Sequence, residues 1–153
     1  MIELRSTSVN LEHGFSLFEV LITVVVISIG LLGLAGLQFV GMRAANSAQE
    51  YTYASLLAQD VEERIRANAG IDYHAVSIAA SSANCVIGPC SPTQMRSFDA
   101  SQWYYMLNGG GDNTPVLANG SIELTGGGNA YTVTIKWGDP SGPQTLTTSF
   151  TVQ

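Results

Sequence analysis

The chain has 153 residues, with 12 acidic side chains against six Lys and Arg and a formal charge of −6. Only 12% of its residues are charged and 46% are hydrophobic. The length allows one small domain beside a membrane-sized helix and excludes two domains, and the acidic balance opposes nucleic-acid binding, which calls for a basic patch.

Residues 1–14 read as a short polar leader in which Arg5 stands against Glu3 and Glu12. From 15 to 37 the sequence is apolar and holds a single charge, Glu19. As a helix this run covers about 34 Å, enough to cross a bilayer core of about 30 Å. A carboxylate near the bilayer centre costs roughly 2.5–3.5 kcal/mol, so Glu19 needs a partner. Cleavage after Gly14 would give Phe15 a new α-amine about 6 Å along the helix axis from Glu19. An ammonium and a carboxylate in lipid stabilise each other best when paired. The pair could form within one helix or between copies, and the second arrangement fixes register between subunits. An ordinary signal peptide has a shorter apolar core. A plain membrane anchor explains the length but neither the Gly-Phe junction nor the position of Glu19.

Gly14-Phe15-Ser16-Leu17-Phe18-Glu19, followed by the apolar stretch, resembles the class III signal of type IV pilins and pseudopilins. The resemblance implies that a prepilin peptidase cuts between Gly14 and Phe15. It further implies that Phe15 is N-methylated and that Glu19 helps dock the subunit into a filament. Residues 28–38 and 58–68 resemble the PilV group of minor pilins. The function so implied is that of a minor pilin in type IV pilus assembly, initiation or the tip complex. Its partners would be other major and minor pilins, the prepilin peptidase and the inner-membrane assembly platform. The chain would cross the inner membrane once, N-terminus in, and later reside in the pilus at the cell surface. A minor pseudopilin of a type II secretion system, processed in the same way, is the alternative. A DNA-uptake pilin is a third reading, and would need Arg96 and Lys136 gathered into one patch.

Residues 38–153 are expected to form a periplasmic domain of α+β, pilin-like fold, a long N-terminal helix packed on a small antiparallel sheet. Apolar and small side chains recur at Leu37, Val40, Ala44, Ala48, Tyr51, Ala54, Ala58, Val61 and Ile65. That spacing of three or four predicts one helix from about residue 16 to residue 68. Gly70 suits a left-handed cap, and Arg64 and Arg66 suit the C-terminal end of the helix dipole. Asp60, Glu62 and Glu63 read as solvated charges or a subunit contact. Gly30, Gly33 and Gly36 repeat every three residues, either for close helix packing or as ordinary tolerance of glycine in membrane helices.

Residues 71–98 read as irregular. Within them Cys85 and Cys90 enclose Gly88-Pro89, which helps the chain turn back. Outside the inner membrane an oxidising compartment favours a disulfide between them; free thiols are the other reading. A metal site would need more ligands than His74 adds, and no cofactor is expected. Residues 99–107 predict a short helix with Asp99 as N-cap and Trp103 and Leu107 on one face, Trp103 in the core. Residues 108–113 read as a loop. Three strands follow at 121–125, 130–137 and 144–152, separated by turns. Tyr131, Val133, Ile135 and Trp137 alternate with polar residues, so one face is buried, and the second half of the long helix is its expected cover. No Ser/His/Asp grouping, phosphate loop or metal spacing is present, so the protein is not expected to be an enzyme.

Overall fold

The computed structural model describes residues 14–74, 76–109, 117 and 119–153. The leader through residue 13 and most of the 108–113 loop lie outside the described residues. By compactness the chain divides between Arg43 and Ala44, a different criterion from the apolar run that ends at Leu37.

Helix α1 spans Leu17–Ala67. Ser16 starts it: its carbonyl accepts from Glu19 N at 3.0 Å and Val20 N at 3.2 Å, and its hydroxyl accepts from Phe18 N at 3.3 Å. These bonds satisfy amides that a helix start otherwise leaves unpaired. The helix ends in a turn at Asn68, and Gly70 takes a positive φ of 94°, as the sequence suggested.

The sequence pattern breaks down at α2, which spans Pro92–Asn108. Residues 92–98 are helical and not irregular. Asp99 lies inside the helix and is not its cap. The cap is Ser91, whose hydroxyl accepts from Gln94 N at 3.3 Å while Gln94 Oε1 accepts from Ser91 N at 2.9 Å. This reciprocal box, with Pro92 in the first turn where no N–H is needed, sets the start eight residues earlier than an Asp99 cap would.

The sheet is a three-stranded antiparallel meander of order β1-β2-β3, with β1 Ser121–Gly127, β2 Ala130–Asp139 and β3 Gly142–Thr151. The strands extend further into the expected turns, leaving two-residue connections at Gly128-Asn129 and Pro140-Ser141. Period-2 alternation holds: Tyr131, Val133, Ile135 and Trp137 are buried, and so are Ile122 and Leu124 opposite them. The outer face is polar, with Thr132 bonded to Ser149 and Lys136 paired to Glu123 at 3.2 Å.

The core joins the sheet to Ala54, Leu57, Ala58, Val61 and Ile65 of α1, to Ala100, Trp103 and Leu107 of α2, and to Tyr73 between the helices. Trp103 is fully buried. Tyr51 meets Trp137 edge-on at 6.2 Å. The fold is thus α+β, a long helix with a small antiparallel sheet, as expected for a pilin-like chain.

Candidate functional site

The candidate site lies at the start of α1. Gly14, Phe15 and Ser16 are exposed and precede the helix in non-helical backbone. The Gly14–Phe15 peptide bond lies within this exposed, non-helical stretch. Phe15 is 84% exposed. Glu19 follows in the first helical turn, three residues after the Ser16 cap. There its negative charge favours the positive end of the helix dipole, whatever other partner it finds. The sequence carries the signal for this cap, Ser16 with an acid three residues on.

Beyond Glu19 the helix surface is apolar on all sides. From Phe15 to Met42 the large hydrophobic side chains are exposed, among them Leu17, Phe18, Ile29, Leu32 and Leu37. Thr23 and Ser28 return their hydroxyls to the backbone, Thr23 to the carbonyls of Glu19 and Val20 and Ser28 to that of Val24. Those polar groups need no water. Among the described residues α1 is the one helix long and apolar enough to cross a membrane. At Gly30, Gly33, Gly36 and Gly41 a Cβ would meet nothing within 4 Å, so packing among the described residues does not account for these glycines.

Later in the chain, within residues 44–153, is a polar network that the sequence did not reveal. Arg64 donates from Nε to Asp60 at 2.8 Å and from Nη1 to Asp99 at 3.0 Å. Trp103 Nε1 donates to Asp60 at 3.0 Å, and the Tyr73 hydroxyl donates to Asp99 at 2.7 Å. Asp60 is therefore not a freely solvated charge. Asp99 is 2% exposed, and its charge is tolerated because a cation and a phenol meet it. Burial lowers the basicity of Arg64, but its bonds to Asp60 and Asp99 outweigh that and hold its pKa above the ordinary value. Burial, and then the bond to Asp99 against that of Asn68, raises the Tyr73 phenol. This network ties α1, α2 and the intervening segment together.

Cys85 and Cys90 are joined in a disulfide, with Cα atoms 5.5 Å apart. The bond closes a small loop whose tip, Val86 and Ile87, is exposed. Arg96 and Lys136 are each engaged: Arg96 Nη1 donates to the Asp72 carbonyl at 2.7 Å, and Lys136 pairs with Glu123.

An exposed Gly-Phe junction thus precedes a capped apolar helix with one early acid, and a small antiparallel meander follows at residues 121–151. Residues 36–101 match the family model described as Type IV pilin Tt1218, and residues 10–35 match the model described as Prokaryotic N-terminal methylation motif. The two matches adjoin, so the likeness to type IV pilins runs from residue 10 to residue 101. The first match covers the second half of α1, the disulfide loop and the start of α2, and stops short of the sheet. This family is structural and not enzymatic. No curated protein and no solved structure matches the chain.

Proposed function

We propose that the chain is a minor pilin of a type IV pilus, made as a prepilin with residues 1–14 as leader. Cleavage after Gly14 frees the α-amine of Phe15, which is then methylated. Before assembly residues 15–37 hold the protein in the inner membrane, N-terminus in, with residues 38–153 in the periplasm. On assembly the apolar helix moves from lipid into a bundle of its kind, with major and minor pilins as neighbours. Close packing of the side chains now exposed from Phe15 to Met42 against neighbouring helices, in place of lipid tails, stabilises that bundle. Glu19 pairs with the Phe15 amine of an adjoining subunit and sets the register. The observation that carries this reading is the exposed, non-helical Gly14–Phe15 junction placed directly before a capped apolar helix with Glu19 in its first turn.

The residues that resemble the PilV group, 28–38 and 58–68, favour the pilus over a secretion pseudopilus. Lys136 and Arg96 are committed within the domain, which weighs against a DNA-uptake role. Mass spectrometry of the N-terminus, with and without a prepilin peptidase, tests the processing. The expected product starts at a methylated Phe15. A retained Met1, or a start near Ala48, overturns it. Glu19→Ala is expected to leave cleavage intact and to reduce incorporation into filaments, and normal incorporation would remove the register role.

A further inference from the structure

His74 lies between α1 and α2, with its ring stacked on Tyr131 at 4.1 Å between centroids and 8° between planes. Its Nδ1 is 2.6 Å from Asp72 Oδ1, and its Nε2 is 3.0 Å from the Ala130 carbonyl oxygen. An ionised carboxylate and a backbone carbonyl only accept hydrogen bonds. A neutral imidazole carries one N–H and satisfies one of the two. Only the imidazolium donates to both.

The surroundings are shaped for this ring. Gly126 has φ 133°, and a Cβ there would collide with the Ala130 carbonyl and stand 3.1 Å from His74 Nε2. Asp72 Oδ1 also accepts from the His74 amide at 2.8 Å. Asp72 is the charged group facing the ring from its own segment. From α2, Arg96 reaches the Asp72 carbonyl. From β2 the titratable neighbour is the Tyr131 phenol, which accepts from Tyr73 N at 3.4 Å. The α1 end contributes Ile65, Ala69 and Gly70 beside the ring, while Arg66 lies over Phe150 of β3 at 5.7 Å.

We propose that His74 is a proton-operated clamp, closed when its ring donates to both Asp72 and Ala130 and released when it loses a proton. Closed, it ties the segment after α1 to the β1–β2 turn. Beside it lies a cavity of about 270 Å³ lined by Ile65, Gly70, Gly128 and Tyr131 among others, and release opens that cavity.

The sign follows from the partners. The Ala130 carbonyl first, against the opposing effect of burial, and then the Asp72 carboxylate hold the His74 pKa above its ordinary 6.5. The His74 amide and then its ring hold Asp72 below the usual carboxylate value. The clamp's contribution is thus fully present below about pH 6.5 and is lost as pH rises through the raised value.

The test uses the full chain in detergent micelles, with side-chain NMR of the histidines and amide hydrogen exchange from about pH 5 to about pH 9. Signals that vanish in His74→Phe identify the His74 ring. At about pH 6 both its nitrogens should carry protons. Above the midpoint the amides of Tyr73, His74 and Val76 and of Gly126–Tyr131 should lose protection, by up to about tenfold per pH unit, beyond the intrinsic rate change. His74→Phe keeps the stack and removes both donors, so those amides should exchange fast at every pH. Asp72→Asn should move the His74 midpoint down, which keeps the idea testable if His74→Phe does not fold. A single neutral tautomer at about pH 6 overturns the proposal, as does protection that ignores pH or an unmoved midpoint in Asp72→Asn.

Discussion

One helix, α1, uses the same kinds of side chain in two opposite ways. Leu17 is 90% exposed and its apolar neighbours as far as Met42 are exposed with it, whereas Val61 is fully buried and Ile65 nearly so. The first stretch is apolar all round. The second buries Ala54, Leu57, Ala58, Val61 and Ile65 on one side and sets polar residues, with Tyr53 and Leu56 among them, elsewhere. A helix that is apolar on every face has its solvent in lipid or in other helices, while a one-sided helix has its partner in its own chain. The two stretches should therefore respond to different perturbations. Damage to the sheet and α2 should unfold the domain and leave membrane insertion untouched.

The largest such blow is Trp103→Ala. Removing a fully buried tryptophan costs about 3–5 kcal/mol, and it also strips Asp60 of an N–H donor. Denaturant unfolding of the full chain in micelles should show the loss through the fluorescence of Trp137. The protein should still fractionate with membranes. A variant released from the membrane would break the proposed independence of the two stretches.

Asp99→Ala comes next. It removes an acceptor from Arg64 and from Tyr73 at once, and hydrogen bonds to a charged group are worth about 1.5–3 kcal/mol. Arg64 keeps Asp60, which holds the loss toward the lower end. The same denaturation experiment checks it, and a loss below a few tenths of a kcal/mol would mean that water replaces the carboxylate without penalty. Replacing both Cys85 and Cys90 by Ala should cost about 2 kcal/mol in the chain-entropy account, because the closed loop is short. Only the domain transition should shift, and adding reductant to the native chain should reproduce it.

The contrast also explains what could be read from the sequence. The helix, the three strands and the burial of Trp103 and of Tyr131, Val133, Ile135 and Trp137 follow from local period. Hydrophobic spacing reports one element at a time, and each of these elements buries its own regular face. The start of α2 was missed for a local reason: Ser91-Pro92-Thr93-Gln94 is rich in turn-forming residues, yet in that order they make a cap. Asp99 was misread for a non-local one. Its partners Arg64 and Tyr73 are 35 and 26 residues away, and no spacing rule connects them. The clamp at His74 is of the same kind, because Ala130 is 56 residues distant. At the candidate site the Gly14-Phe15 junction and Glu19 stand close together in the sequence, and the Ser16 cap lies between them.

The smallest expected effects sit where Asp139, at the end of β2, meets the stretch of α1 around Ser47 and Glu50. Bonds from the Ser141 hydroxyl, then from Ser47 and the Ser141 amide, hold Asp139 down at a pKa of about 2. Its contribution is therefore present above pH 3.8 and lost as pH falls toward about 2. Glu50 behaves in the opposite sense. Burial, and then the Asp139 carboxylate, raise its pKa above 4.5, so its penalty grows as pH rises through the raised value. Asp139→Asn should flatten the acid side of a stability-against-pH curve. Glu50→Gln should raise stability at neutral pH by removing the like charge, and should leave the acid side steep. The denaturation midpoint of the full chain in micelles, followed across pH, separates the two. Among the described residues the buried Glu50 Oε2 and Trp137 Nε1 have no partner at hydrogen-bond geometry, yet the indole N–H is near enough to Glu50 to oppose the rise in its pKa. If Glu50→Gln instead weakens the domain at neutral pH, the attraction of the carboxylate charge for the Trp137 N–H exceeds its repulsion from Asp139.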